Sequence, residues 1–306
     1  MKLTDYVAHW METYKKNSVK GGTYERLEGQ RTLLNEYGLA QMGIDGIQAA
    51  DVQRYVNELV ADGYALTTIK KQLHIVRAPL RFAHSQGILP RDPTYGVQLP
   101  TQTAVKRQKR DVEAYAPDEQ ERLRKAIADY SDHGNASTLL MLESGMRVGE
   151  CLALNWSDID WRKKAVRIHA TIAKPASKRK SYVQEGAKTH TSNRTIPLSD
   201  AALTVLQAMK QVSPTPWVFS GSDGERLSYA ALRYRIKKVS EAANVPYKGM
   251  HVFRHTFATD CYHRGCDVKI LSKLLGHAST AITYNTYIHL FGDALEEMRN
   301  VLGRSA

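Results

Sequence analysis

Ser144-Gly145-Met146-Arg147-Val148-Gly149-Glu150 reads as a turn that opens directly into a short helix, with an arginine at its mouth and an acid in its first turn. Leu152, Leu154 and Trp156 follow and supply the apolar side of that helix. Two further segments share this character. His251-Val252-Phe253-Arg254-His255-Thr256-Phe257-Ala258-Thr259 sets two histidines around a second arginine. Leu274-Leu275-Gly276-His277 precedes Tyr287 in Asn285-Thr286-Tyr287-Ile288-His289. Two guanidiniums, several imidazoles and a phenol suit the chemistry of one group. A phosphodiester under attack by an oxygen nucleophile gathers charge on its non-bridging oxygens, and arginines hold such oxygens through paired hydrogen bonds while staying charged. His251 and His255 have the i, i+4 spacing of a zinc-protease helix, but that motif needs Glu after the first histidine, and here it is Val252. Cys261 to Cys266 is too tightly spaced for a zinc site and offers no fourth ligand.

Around these segments the pattern is mixed. Pro117, with Asp118 and Glu119 at the positive end, starts a helix. Helices are predicted over 118–130, 135–144 and 147–154. Strands are predicted over 165–172, where Val166, Ile168, Ala170 and Ile172 alternate, and over 192–198 and 217–220. Helical periodicity returns from 228. Between the first two strands, residues 162–194 carry ten Lys/Arg against one acid, Glu185. A basic ribbon of this kind is an electrostatic footprint for DNA, and Lys174, Lys178, Arg179, Lys180 and Arg194 are its candidate contacts. After Tyr287, residues Phe291, Leu295, Met298 and Leu302 recur on one helical face, so a tail helix is predicted over 291–302.

Residues 1–97 read as a separate helical domain. Leu3, Val7, Trp10, Met11 and Tyr14 share one face after a Thr4/Asp5 start. Val52, Tyr55, Val56, Leu59 and Val60 mark another helix. In a third, Ile69, Leu73, Val76 and Leu80 form an apolar stripe, and Lys70, His74, Arg77 and Arg81 form a basic one about 100° around the helix. Such a helix can pack on its own domain while touching phosphates; the plainer alternative is a solvated charged face. Pro79 should kink it. Residues 98–116 lack apolar periodicity and carry Lys106, Arg107, Lys109 and Arg110, which read equally as a strap along a DNA backbone or as a solvated tether. The catalytic domain is then 117–306.

The fold class is therefore mainly α with a small β-sheet, an α+β arrangement in two domains. The chain carries a formal net charge of +12, of which residues 1–100, with 12 Lys/Arg against 10 Asp/Glu, hold little. That excess points to a polyanionic partner. No apolar run is long enough for a membrane span, no signal-peptide core opens the chain, and three cysteines make a poor disulfide framework; the chain reads as cytoplasmic.

In order, Arg147, a hairpin lysine, His251-x-x-Arg254, His277 and Tyr287 resemble the tyrosine recombinase family, in particular the integrases of phages and conjugative transposons. The resemblance covers 117–289, and more loosely 1–95, which is similar to the family's helical core-binding domain. Gly186-Ala187-Lys188-Thr189 with Asn193-Arg194-Thr195-Ile196-Pro197-Leu198 looks like the family's hairpin-lysine segment. The resemblance implies a C-shaped clamp on double-stranded DNA. It implies that Tyr287 attacks a phosphate and forms a 3′-phosphotyrosine link. Lys188 would protonate the leaving oxygen, with Lys178 and Lys180 as its rivals. Arg147 and Arg254 would hold the phosphate, His251 would accept the tyrosine proton, and His277 would bind a phosphate oxygen. Glu150 would orient Arg147 or a histidine, and His255 would be a structural side chain. No metal, ATP or other cofactor is needed. It further implies a homotetramer on DNA with the tail helix docked on a neighbour in trans, integration or excision of a mobile element, and room for an accessory directionality factor. Tyr284, one turn earlier, is the rival nucleophile. A type IB topoisomerase and a non-catalytic DNA-binding regulator are the competing functions. Because the nucleophile must reach DNA, its segment is not expected to be locked deep in a core.

Overall fold

The computed structural model describes residues 1–19, 21–105, 113–129, 133–173, 182–185, 193–221 and 223–287. It divides into two compact units, one within Met1–Arg110 and one built from Asp111–Ala173 and Ser181–Ala306.

The first unit holds four α-helices: α1 (Leu3–Tyr14), α2 (Gly21–Leu34), α3 (Ala49–Ala61) and α4 (Leu66–Ser85). Leu3, Val7, Trp10 and Met11 of α1 are buried, as are Val52, Tyr55, Val56 and Leu59 of α3 and Ile69, Leu73, Val76 and Leu80 of α4. Tyr14 departs from its stripe: it is exposed, with its ring 4.5 Å from that of Phe82. Pro79 is buried within α4, which runs on to Ser85 as one element. The helix thus continues through Pro79 despite the lost donor, with the ring packed in the core. The Tyr55 hydroxyl donates to Gln72 Oε1 at 2.7 Å inside the core, satisfying two buried polar groups at once. Val97 and Val105 are buried in this core, so the start of the expected linker packs onto the helical unit. Lys106, Arg107, Lys109 and Arg110 lie outside the described residues.

The second unit begins with α5 (Pro117–Asp129), α6 (His133–Ser144) and α7 (Val148–Ala153). Residues 135–142 of α6 are buried on every side, which marks it as the central helix. Short strands β1 (Ile159–Asp160), β2 (Ala165–Ile168), β3 (Ala170–Ala173), β4 (Tyr182–Glu185) and β5 (Arg194–Pro197) follow. They form an antiparallel sheet in the order β1-β2-β5 and a separate ribbon, β3 with β4. The single strand expected over 165–172 is thus broken at His169, whose ring bonds Asp158 at 2.8 Å. The ribbon stem pairs Ala170 with Glu185 and Ala173 with Tyr182. Lys174, Lys178, Arg179 and Lys180 lie outside the described residues.

Next come α8 (Asp200–Val212), α9 (Tyr229–Ala242), α10 (His251–His263), α11 (Val268–Leu275) and α12 (Thr280–Tyr287). In α8 the Ser199 hydroxyl caps the Ala202 amide, and Ala202, Leu203, Leu206 and Met209 form the buried face. The strand expected over 217–220 is absent: Trp217 and Ser220 make only isolated bridges, to Asn155 and Arg226. Tyr115, in the expected linker, is buried in this unit's core, and its amide donates to Thr256 Oγ1 at 2.9 Å. No described helix is long and apolar enough to cross a membrane. The predicted tail helix over 291–302 lies outside the described residues.

Candidate active site

Three loops and helix ends meet at the C-terminus of α11. An α-helix leaves its last carbonyls without intrahelical partners and carries partial negative charge there. Gly276 ends α11 with φ +65, a conformation that glycine adopts without penalty. Three consecutive carbonyls at this end each receive an arginine. Arg194 Nε donates to Leu274 O at 2.6 Å, Arg254 Nη2 to Leu275 O at 2.6 Å, and Arg147 Nη2 to Gly276 O at 3.4 Å.

Each arginine is held from a different element. Arg147 is the N-cap residue of α7, where its amide donates to Glu150 Oε2 at 2.8 Å and its Nη1 to Glu150 Oε1 at 2.9 Å. That helix sits tightly on the ribbon stem: a Cβ at Gly149 would come within 2.8 Å of the Ile172 carbonyl, so only glycine fits. Arg254, on α10, is 4% exposed and donates its Nη1 to Gly145 O at 2.9 Å. Burial, with the neighbouring charge of Arg147, lowers its pKa to about 10, which still leaves it protonated near neutrality. Arg194, at the start of β5, places Nη2 2.8 Å from Glu150 Oε2 and Nη1 3.1 Å from Glu150 Oε1. Glu150, enclosed among these cations, is held below the usual carboxylate range by Arg194 and Arg147, against the upward push of its own burial.

Tyr287, at the end of α12, is 1% exposed and packs with Ala258, Leu271 and Leu275. His255 Nδ1 lies 3.1 Å from its hydroxyl, and the His277 ring stacks parallel to it with centroids 6.4 Å apart. Burial raises the phenol's pKa, while Arg254, by charge and a hydrogen bond, and Arg147 pull the other way. The Tyr287 side chain is enclosed among apolar neighbours with its hydroxyl beside Arg254, while Ala281, Ile282, Tyr284 and Asn285 of the same helix are exposed, so its segment as a whole is not locked in a core. Tyr284, its rival, is exposed. His277 Nδ1 pairs with Thr283 Oγ1 at 2.7 Å, and burial beside Arg254, Arg147 and Arg194 lowers its pKa to about 4. His251 stands exposed at the start of α10, its pKa lowered by desolvation and by Arg254 and Arg147. An array of fixed cations with a phenol and neutral imidazoles beside it can bind a phosphate and receive the charge of a pentavalent transition state.

The sequence profile described as the phage integrase family matches residues 114–293, more than half of the chain. The chain belongs to that family. It is a tyrosine recombinase, an enzyme of site-specific DNA strand exchange. A XerC-like tyrosine recombinase of Caldanaerobacter subterraneus is 28% identical over 94% of this chain and 79% of its own length. XerD of Vibrio cholerae is 25% identical over 85% of this chain and 82% of its own. Among solved structures, the Tn1549 transposon integrase with a circular intermediate DNA superposes with a TM-score of 0.83 at 18% identity, covering 99% of both chains. A lambda integrase tetramer bound to a Holliday junction gives 0.69 at 16% identity, over 94% of this chain and 77% of that one.

Within the recombinase, Arg147, Glu150, Arg254, His277 and Tyr287 come together, with His251 near both arginines. Lys188 lies outside the described residues. Arg194, read from the sequence as a DNA contact, is instead turned inward, its side chain 6% exposed. His255, read as structural, holds the Tyr287 hydroxyl that His251 was expected to serve. On α4, Lys70, His74 and Arg81 are exposed and Arg77 is half-buried; Arg81 Nε pairs with Asp92 Oδ2 at 3.0 Å.

Proposed function

We propose that this recombinase integrates or excises a mobile element through a 3′-phosphotyrosine intermediate formed by Tyr287. The observation that carries the reading is the meeting of Arg147 and Arg254 beside the Tyr287 phenol. The Tyr287 oxygen attacks the scissile phosphorus, the bond to the 5′ oxygen breaks, and that oxygen takes a proton from Lys188. The new ester keeps the energy of the broken one, so the reverse attack by a 5′ hydroxyl reseals the strand without ATP. Arg147 and Arg254 hold the non-bridging oxygens, with His277 beside them. His255 orients the hydroxyl, and His251, exposed one turn earlier on α10, takes its proton as the oxygen attacks the phosphate. A nicked duplex that loses the short strand beyond the cut traps the adduct. Tyr287→Phe should abolish the trapped adduct while Tyr284→Phe retains it, and the reverse pattern would overturn the assignment.

The acting form in this reading is a homotetramer on two DNA sites, each chain's two domains joined by the 98–116 linker, within the cytoplasm. An accessory protein that sets direction is its further partner. Solved relatives support the assembly: one is a lambda integrase tetramer on a Holliday junction, another a lambda integrase dimer on a core site. The tail beyond residue 290 docks on a neighbour and couples assembly to the delivery of Tyr287. Deleting residues 290–306 should leave single-site binding nearly intact and reduce two-site assembly and recombination; normal tetramers from the truncated chain, seen by native gel, would remove the tail from this role.

A further inference from the structure

We infer that Arg194 is a positioning residue that shares Glu150 with Arg147 and thereby keeps Arg147 available to the scissile phosphate. This rests on the phosphate-binding role proposed for Arg147.

Glu150 is 5% exposed, and a carboxylate so enclosed demands cationic partners. It has two. Arg194 meets it with both terminal nitrogens, at 2.8 and 3.1 Å, in the fork geometry that suits a carboxylate best. Arg147 gives it Nη1 and its backbone amide, and directs Nη2 elsewhere, at 3.4 Å from the Gly276 carbonyl, a weak contact that a phosphate oxygen can displace. The exposures match this division of labour. The Arg194 side chain is 6% exposed and the Arg147 side chain 37%. One guanidinium is committed to the protein and the other has an edge open to a ligand. The Nε bond from Arg194 to Leu274 O fixes its fork against α11, so its orientation does not depend on Arg147.

Removing the fork leaves Arg147 as the cation bonded to that carboxylate among the described residues. Its best geometry is then to turn both terminal nitrogens onto Glu150, away from the phosphate. The local charge also falls by one, at the place where the transition state accumulates negative charge. Arg194 adds to the positive field that depresses His277, so its loss should also raise the pKa of that imidazole.

The test compares Arg194→Ala, Glu150→Gln and the double variant with the wild-type protein. The probe is a nicked duplex carrying the site that the wild-type protein itself selects from random-sequence DNA. Single-turnover adduct formation is read beside affinity by gel shift. Arg194→Ala should slow adduct formation about 100-fold, the scale of a misplaced catalytic group, with affinity changed only a few fold. Adding Glu150→Gln removes the charge that captures Arg147, and should restore about tenfold or more of the lost rate. A purely structural clamp predicts the opposite, since the double variant has lost both halves of the pair. Failure of Glu150→Gln to restore the rate, or an Arg194→Ala rate equal to wild type, overturns the inference. If Arg194→Ala does not fold, Arg194→Lys with and without Glu150→Gln decides in the same way, because lysine keeps the charge and loses the fork. A wild-type protein that forms no adduct with the probe would instead count against the parent reading.

Discussion

On α4 of the helical unit, Lys70 stands in solvent, whereas in the catalytic unit Arg254 is 4% exposed and the Arg194 side chain 6%. The first arrangement costs little to build. A solvated cation keeps its hydration until it meets a phosphate, binds any sequence, and yields to salt. The second is expensive, because enclosed guanidiniums must be paired and fully bonded. What the expense supplies is preorganisation. Arg147 and Arg254 are aimed before substrate arrives, held with Arg194 through carbonyls of one helix end and one carboxylate, so little rearrangement is left for the transition state. Charge at the surface finds DNA; charge locked in the protein works on one phosphate.

The sharpest way to break this contrast is at Arg254. Arg254→Lys keeps the positive charge but cannot reach Gly145 O and Leu275 O with one planar fork. Adduct formation should fall about 100- to 1000-fold. A lysine variant close to wild type would show that charge alone suffices and that fixed aim is unimportant.

A second measurement follows from His277, whose folded pKa of about 4 lies below its ordinary 6.5. Between those values the unfolded chain binds a proton that the folded chain refuses. Stability is therefore full above about pH 6.5 and declines as pH drops towards 4. His251 shifts in the same direction, so a thermal melt of His277→Asn beside wild type isolates the His277 share. The variant should lose part of the pH dependence in that window; an identical profile would mean that the enclosed cations do not set the protonation of this imidazole.

The smallest effect is expected on α4. Replacing Lys70 and His74 by Ala should weaken binding a few fold on specific and non-specific DNA alike. If Lys70 is a phosphate contact, the slope of log affinity against log salt should flatten by about one. An unchanged slope would assign the stripe to solvent, leaving other surfaces to carry the electrostatic attraction.

Much of this was readable from residue order. Ile69, Leu73, Val76 and Leu80 announce a buried face and all are buried. The turn at Gly145 and the helix from Val148 follow from local chemistry alone. Other features were hidden for physical reasons. Leu34 is the buried residue of α2, which opens on Gly21 and Gly22, so it has no apolar stripe to read. The stripe of α8, Ala202, Leu203, Leu206 and Met209, is legible in hindsight, its signal being the Ser199 cap before a run with helical spacing. Arg194 closes a stretch of ten cations, and nothing in such a run distinguishes the one that turns inward. His251 and His255 lie one turn apart on the same helix, so spacing could not say which meets Tyr287. The burial of Tyr287 itself depends on Leu271 and Leu275 arriving from another helix.

Gly149 carries a different kind of consequence. A Cβ there would meet Thr171 Oγ1 at 2.5 Å and the Ile172 carbonyl at 2.8 Å, and the second obstacle is main chain that no rotamer change can clear. In a library of every single substitution, position 149 should therefore be nearly empty among survivors, although its residue has no side chain. Neighbouring Val148 faces no such barrier and should drift among similar apolar residues. A lineage could escape the constraint at 149 only by first shifting the β3 strand, and that route would move the helix that carries Arg147. History at this site is thus held in place by two backbones that lie too close to part.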